Sequence, residues 1–231
     1  MSIITHHKSY YGLNEMWTKC RDVLEGEDVI KRKGTTYLPQ LKGQDTADYD
    51  AYLCRGTFYG ATYKTATALS GMATRKIPML TGPERLKSMA FGEFDEYGND
   101  LWRFTTRVVE EKVNVGRVGV MIDRDPLPQG ATIADQLRPN PYFTIYKAEQ
   151  IVNWHFDNFD RLDMVQLRET KDELLSNLST EEVEYHRVLA LDPLGFYSIR
   201  TLREGVQISE VYPTRNGEFL TAIPFYFLDM D

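Results

Sequence analysis

The alternation of apolar and polar residues between Asn99 and Pro126 predicts a helix followed by a buried strand. Apolar residues first recur at helical spacing, at Leu101, Phe104, Val108, Val109 and Val113. Asn99 stands at the expected N-cap, and Gly116 suits the left-handed end of the helix. Val118, Val120 and Ile122 then alternate with Gly119 and Met121, which is strand periodicity. This stretch alone indicates an α+β scaffold and identifies no chemistry.

Three further helices are predicted before this stretch. One runs from Leu13 to Leu24 and ends at Gly26, and a short one starts near Pro83. The longest helical signal extends from Asp45 to Ser70. Gly56 lies within it, and because an interior glycine costs up to about 1 kcal/mol relative to alanine, a continuous helix and a break near Gly56 are equally compatible with the pattern.

Several side chains in these helices allow a structural and a functional interpretation. A tyrosine stripe could stack on nucleic acid, although packing against the core is favoured; it contains Tyr49, Tyr52, Tyr59 and Tyr63. The basic cluster Lys31-Arg32-Lys33 could bind phosphate, but a solvated loop is favoured. Tyr37-Leu38 is expected to be extended because Pro39 follows. Trp17 and Trp102 are expected to lie on the apolar sides of helices.

The chain after Arg117 is rich in predicted strands. A Pro- and Gly-rich loop from Pro126 to Pro141 comes first, and Asn216-Gly217 is a strong hairpin signal. The predicted strands cover residues 142–146, 151–156, 162–170, 182–192, 195–203, 207–212 and 219–228. The fold class predicted from these patterns is α+β, with N-terminal helices packed on a mostly antiparallel C-terminal sheet. Residues 1–116 form the mainly helical part and 117–231 the mainly β part of one integrated domain.

The composition argues against several classes of protein. The chain has 231 residues, 42 % of them apolar, and a net charge of −7. Residues 1–80 hold 11 Lys/Arg against 8 Asp/Glu, an excess too small for a dedicated DNA-binding domain. Cys20 and Cys54 form no CxxC pair, so we expect reduced thiols in a cytosolic setting. No apolar run reaches the roughly 18–20 residues of a membrane span, and no export signal precedes the first helix.

The residue motifs predict no catalytic, metal or cofactor site. His155 and His186 are each isolated in a predicted strand, and Asp157, Asp160 and Asp163 lack the alternate spacing and the glycine of a calcium loop. The glycines from Gly116 to Gly119 follow a helix and do not match a phosphate-binding or dinucleotide-binding loop. No nucleophile motif or zinc-protease motif is present. We therefore predict that the chain is not an enzyme and needs no cofactor.

A series of short sequence words, in order along nearly the whole chain, resembles the N-terminal part of tailed-bacteriophage portal proteins. The match is to the portal-like family first catalogued as a domain of unknown function. The words are Trp17, Arg21-Asp22, Gly26, Tyr37-Leu38-Pro39, Tyr49, Tyr52, Arg55, Leu69-Ser70-Gly71, Arg75-Lys76, Pro78, Asp100-Leu101, Gly116-Arg117-Val118-Gly119-Val120, Asp123, Tyr146, Ile151-Val152-Asn153-Trp154 and Ile223-Pro224-Phe225.

The resemblance implies a structural role in the virion. Such portals form a ring, usually a dodecamer, at one capsid vertex, where they provide the DNA entry channel and dock terminase, neck and capsid proteins. The ring would assemble in the host bacterial cytoplasm, and non-specific contact with packaged double-stranded DNA is compatible with it. The N-terminal part corresponds to the wing. Portal chains normally continue into stem, clip and crown, whereas this sequence ends at Asp231; a fragment, half of a split gene and a truncated paralogue all stay open.

Two other functions stay open beside the portal. One is a stand-alone phage interaction domain that forms no ring, and the other is a phage enzyme such as a nuclease. For a ring, Arg117 and Arg55 are the candidate subunit-interface residues. Arg117 lies at the turn between helix and strand, on the face opposite Val118. It either caps the helix or reaches an acidic residue of a neighbouring subunit.

Overall fold

The computed structural model describes residues 5–124, 141–176, 179–215 and 217–229. The chain divides into two compact units. The helical unit contains Glu15–Gly116 and Asp229–Asp231, and the β unit contains Met1–Asn14 and Arg117–Leu228. The predicted α+β class is confirmed, with helices before residue 116 and antiparallel strands after it.

Among the residues that the structure describes, six helices precede the first strand. They are α1 (Tyr10–Glu25), α2 (Glu27–Arg32), α3 (Thr46–Arg55), α4 (Ala61–Ala73), α5 (Glu84–Met89) and α6 (Leu101–Val115), with a 3-10 turn at Gly34–Thr36. Helices α4 and α6 lie against each other. The buried apolar side chains of the helical unit are Trp17, Val29, Ile30, Tyr49, Ala66, Met89, Phe94, Phe104 and Val115. Phe104 and Val115 of α6 are eleven residues apart, about three helical turns, so they lie on one face of that helix.

The ends of the helices follow from local chemistry. Gly26 ends α1 with φ +96°, and Gly116 ends α6 with φ +84°, which confirms the predicted left-handed glycine. The predicted N-cap Asn99 is wrong by one residue. Asp100 caps α6, because its carboxylate accepts a hydrogen bond of 2.8 Å from the Arg103 amide. Asn99 instead donates its amide and side-chain N–H groups to Asp95.

The basic cluster Lys31-Arg32-Lys33 is not a loop. Lys31 and Arg32 form the last turn of α2, where positive charge is favourable, and Lys31 pairs with Glu27 at 2.6 Å. Lys33 donates to both carboxylate oxygens of the buried Asp22. The long helical signal is interrupted after Arg55, so the break near Gly56 is the correct alternative.

Two expectations about aromatic and extended residues are only partly correct. Tyr49 is buried, with its hydroxyl donating to the Leu38 carbonyl at 2.7 Å, but the other three stripe tyrosines are exposed. Tyr37 has helical φ and ψ, because proline restricts only the residue immediately before it. Trp17 is buried as expected. Trp102, expected on an apolar side of its helix, is 43 % exposed and therefore does not belong to the core.

The β unit contains a three-stranded and a five-stranded sheet plus a small β-ribbon. The three-stranded sheet has the order β10-β1-β2, the five-stranded sheet has the order β3-β4-β5-β6-β7, and the ribbon joins β8 and β9. The strands are β1 (Arg117–Asp123), β2 (Tyr142–Lys147), β3 (Ile151–Phe156), β4 (Leu162–Ser176), β5 (Ser179–Leu191), β6 (Tyr197–Arg203), β7 (Val206–Val211), β8 (Thr214–Arg215), β9 (Glu218–Phe219) and β10 (Phe225–Asp229), with a 3-10 turn at Ala148–Gln150.

The strand predictions are confirmed except at the C-terminal end of the β unit. Residues 219–228 do not form one strand, because β9 ends at Phe219 and β10 begins at Phe225. Strands β8 and β9 pair antiparallel around the predicted Asn216-Gly217 turn; Gly217 has φ +85°, and residue 216 lies outside the described residues. The predicted loop from Pro126 to Pro141 lies outside them as well, apart from residue 141.

Side chains from the two larger sheets meet in the core of the β unit. Strand β1 supplies the buried Met121, whose sulfur lies 3.8 Å from Arg187 of β5, and the five-stranded sheet supplies the buried residues Ile151, Val165, Leu167 and Leu189. Gly119 was predicted to allow another backbone to approach. The close neighbours are instead side chains, the ring of Phe225 and the methyl group of Ile151.

Candidate functional site

Arg117, the first predicted interface residue, packs against aromatic rings of the β unit. Its guanidinium carbon lies 4.5 Å from the centre of the Trp154 ring and 5.3 Å from that of Phe227. The His7 ring stacks on Trp154 with centres 4.0 Å apart. Burial, then the nearby positive charges of Lys8 and Arg117, lower the pKa of His7. Cation–π contacts of this kind contribute about 0.5–2 kcal/mol, so Arg117 stabilises the β unit itself.

Arg55, the second predicted interface residue, is the exposed last residue of α3. Its Nε donates to the carbonyl of Ala51, one turn earlier, at 3.2 Å. The Arg55 side chain therefore folds back along the last turn of its own helix. The bond uses only Nε, so the rest of the exposed guanidinium could reach another molecule. The interface role of both arginines stays a prediction.

An open, shallow groove lies on the exposed face of α6. We call it the α6 groove; its volume is about 480 Å³, and it is lined by Asn99, Trp102, Arg103, Thr106 and Arg107. Residues 103 and 107 are four apart, as are 102 and 106, so helical geometry places these four on adjoining rows, and Asn99 lies just before the helix. The Trp102 indole N–H donates to the Thr74 carbonyl at 3.1 Å, which fixes the ring at one side of the groove.

A buried aspartate supports the groove from below. Asp95 accepts hydrogen bonds from the Asn99 amide at 2.8 Å and from the Asn99 side chain at 2.9 Å. The same carboxylate pairs with Arg107 at 3.1 Å, and the Arg107 guanidinium also lies over the Tyr97 ring. The sequence shows only a turn at this position. The signal that could have found the site is the Asp-x-x-x-Asn spacing immediately before a helix, which is typical of an aspartate-capped turn.

The charge of the groove is positive. Arg103 is exposed and makes no ion pair with the residues that the structure describes, whereas Arg107 is held by Asp95. The exposed Trp102 ring immediately precedes Arg103 in sequence and lines the same groove. A surface that combines an exposed indole with two arginines can bind a ligand that carries both apolar and acidic groups.

A polar cluster lies inside the β unit, between its two larger sheets. Arg187 of β5 pairs with Asp123 of β1 and, at 3.1 Å, with Glu169 of β4, while the Tyr146 hydroxyl donates to Glu169 at 2.7 Å. Burial alone would lower the pKa of Arg187, but the facing Tyr146, Glu169 and Asp123 raise it. Burial followed by the Glu169 charge raises the pKa of Tyr146. The cluster keeps Arg187 charged and links strands of both sheets.

His155 and Asp157, at and after the end of β3, are occupied in local hydrogen bonds. His155 bonds to Asp163 at 2.7 Å, and Asp157 accepts from the amides of Phe159 and Arg161 in a polar turn between β3 and β4. Within the described ranges, no three or more His, Cys, Asp or Glu residues come together in a way that could hold a metal ion. In the same part of the chain, no helix is both long and apolar enough to cross a membrane.

Comparisons with known proteins were made at the level of families and of individual sequences. No protein-family model matches this chain, and a search of curated proteins finds no match.

Proposed function

We propose that this chain is a structural subunit that assembles with copies of itself, as the wing-like part of a tailed-phage portal. The observation that carries the proposal is the exposed apolar surface of the helical unit. The exposed side chains include Tyr59, Tyr63, Leu69, Met72, Ile77, Met79, Phe91, Tyr97 and Trp102. Met79 is 95 % exposed and Phe91 is 88 % exposed.

These exposed apolar side chains favour a partner that covers them. Single exposed apolar residues are common, but concentrated ones mark interaction surfaces because their contact with water is unfavourable. Met72, Ile77 and Met79 follow one another within a short stretch at the end of α4. Burying them against another copy would remove this apolar area from water, and that gain supports self-association.

The portal assignment states which assembly the copies would form. It is supported by the ordered sequence words described above and by an architecture in which helices come first and antiparallel sheets follow, as expected for a wing. In this role the chain would form part of a ring, usually dodecameric, in the virion. Its partners would be terminase, neck and capsid proteins, with non-specific contact to packaged DNA, and it would have no catalytic role.

A stand-alone interaction domain is the second candidate, and strand β7 favours it. All six residues of β7 are exposed, and β7 is an edge strand of the five-stranded sheet. Val206, Ile208 and Val211 are apolar and exposed on it. An open edge of this kind can add a strand from an unrelated protein, which requires no ring.

Native mass spectrometry of the full chain distinguishes the two candidates. The portal proposal predicts an oligomer of many subunits, whereas a monomer at every concentration would leave only the stand-alone domain. Met79→Glu should reduce the oligomer, because it places a charge on the apolar surface. The matched control is Leu194→Glu, at an exposed leucine of the β5–β6 turn, and it should assemble like the wild type.

A further inference from the structure

The hairpin of β4 and β5 extends beyond the sheet to which it belongs. Pairing between β3 and β4 ends at Leu167, and pairing between β5 and β6 ends at Tyr185. The segments 170–174 and 180–184 therefore pair only with each other in the part of the chain that the structure describes. We call these two segments the β-arm. Because a two-stranded ribbon is at best marginally stable alone in water, the β-arm gains order from any surface that covers it.

The β-arm carries like charges directly opposite each other. Asp172 faces Glu182, and Glu173 faces Glu181 across the two strands. Opposed carboxylates destabilise a strand pair unless a cation lies near them. Glu173 has such a cation, because Arg203 pairs with it at 3.2 Å.

The other pair has no corresponding cation within the chain. Asp172 and Glu182 form no ion pair with any residue in the described ranges, and both are exposed. Alternation along β4 places Leu174 on the same face of the ribbon as Asp172. Leu174 is 77 % exposed. This face therefore presents an apolar side chain beside two uncompensated carboxylates.

The α6 groove has the complementary composition. It offers an exposed indole, Trp102, and two guanidinium groups, of which Arg103 has no ion pair among the described residues. Apolar contact with the Trp102 indole would cover Leu174. Salt bridges with the two arginines would compensate the carboxylates of Asp172 and Glu182. Opposed charges on two such surfaces also orient them before contact.

We propose that the β-arm of one copy docks in the α6 groove of a second copy. Leu174 packs against Trp102, and Asp172 and Glu182 pair with Arg103 and Arg107. This inference rests on the proposed self-assembly and identifies the surfaces that carry it. Since the β-arm and the α6 groove are different surfaces of the same chain, the contact can repeat head-to-tail from one copy to the next, and repeated head-to-tail contacts generate rings when the rotation closes.

Charge reversal tests the docking directly. The variants are Arg103→Glu in the groove, Glu182→Lys in the β-arm, and the two combined in one chain. Arg107 is left intact because it also holds Asp95. The matched controls carry the same charge changes at exposed residues outside both surfaces, Lys42→Glu and Asp50→Lys. Circular dichroism establishes that each variant is folded, and sedimentation velocity over a concentration series measures assembly.

The account predicts that each single reversal raises the concentration needed for half-assembly by at least about tenfold, because like charges then face each other. The combined variant should recover most of the wild-type assembly, and the controls should match the wild type. If both single variants are folded and assemble like the wild type, this inference is overturned while self-assembly stands. If the combined variant assembles no better than the single ones, the pairing is overturned, and an acidic segment of another protein becomes the occupant to test. A wild-type chain that stays monomeric overturns both proposals.

Discussion

The ring of Phe225 on β10 occupies the space above Gly119 on the neighbouring strand β1. A Cβ atom added to Gly119 would overlap the Phe225 ring and would lie 3.0 Å from the Ile151 methyl group. Phe225 is buried and also contacts the rings of Tyr146 and Phe227. The absence of a side chain at Gly119 thus permits an aromatic cluster to form across the three-stranded sheet.

Gly119→Ala should lower the free energy of unfolding by about 1–3 kcal/mol, the usual cost of overpacking a core. Gly71→Ala is the matched control, because Gly71 lies inside α4 and a Cβ there would meet nothing within 4 Å. The control should raise stability by about 0.4–1 kcal/mol. Urea denaturation of both variants measures these changes, and equal effects of the same sign would contradict the close packing at Gly119.

The two tryptophans of the helical unit should respond very differently to truncation. Trp17 is 1 % exposed, so Trp17→Ala should cost about 3–5 kcal/mol of unfolding free energy. Trp102 is far more exposed and keeps one hydrogen bond, to Thr74, so Trp102→Ala should cost about 1–2 kcal/mol. Chemical denaturation midpoints provide the comparison. A larger loss at Trp102 would show that its ring belongs to the core after all.

Asp22 should make stability depend on acid pH. Burial opposes its ionisation, but hydrogen bonds from Lys33 and Tyr37 outweigh it and lower the pKa of Asp22 below its ordinary value of 3.8. A carboxylate with a lowered pKa in the folded state adds stability above that ordinary value and loses it as the pH falls through the folded pKa.

Asp22→Asn should therefore cost about 1–2 kcal/mol at neutral pH, less than for a fully buried pair because Lys33 is 39 % exposed. The difference between wild type and variant should shrink below about pH 4. Glu84→Gln is the control, since the Glu84–Lys87 pair is exposed and its loss should cost less than about 0.5 kcal/mol. A difference that stays constant down to strongly acidic pH would contradict the role of the Asp22 carboxylate.

The ion pairs of Arg187 should contribute strongly to the stability of the β unit. Arg187→Met leaves Asp123 and Glu169 without their shared cation inside the protein, which should cost about 3–5 kcal/mol. Tyr197→Phe serves as the control, because the buried Tyr197 hydroxyl has no hydrogen-bond partner among the described residues. Its removal should be neutral or stabilising by about 1 kcal/mol. Thermal unfolding measures both variants, and a neutral Arg187→Met would mean that water already satisfies the carboxylates.

The local features of the fold were accessible from the sequence because they depend on neighbouring residues. The apolar spacing of α6 and the glycine at its end together specify that helix, and alternation specifies β1. Long-range contacts were not accessible. The exposure of Trp102 depends on the position of the Thr74 carbonyl, directly after the end of α4. The side chain that packs on Gly119 is the ring of Phe225, more than a hundred residues away in sequence.

In the candidate site, too, the local features could be predicted from the sequence and the long-range contacts could not. The arginines of the α6 groove lie on a helix that the sequence predicts, but the support from Asp95 depends on a turn whose hydrogen bonds no periodicity reveals. For Arg117, alternation gave the correct side of β1. Its aromatic partners could not be predicted, because Trp154 and Phe227 come from two other strands.

Electron cryo-microscopy of the purified full chain can show whether it forms a ring. We expect class averages of closed rings with rotational symmetry and a central opening. Each ring should be lost in the Arg103→Glu variant and regained when Glu182→Lys is added to the same chain. Images that contain only particles of single-chain size, or only open filaments, would contradict the proposal that this chain is a subunit of a portal ring.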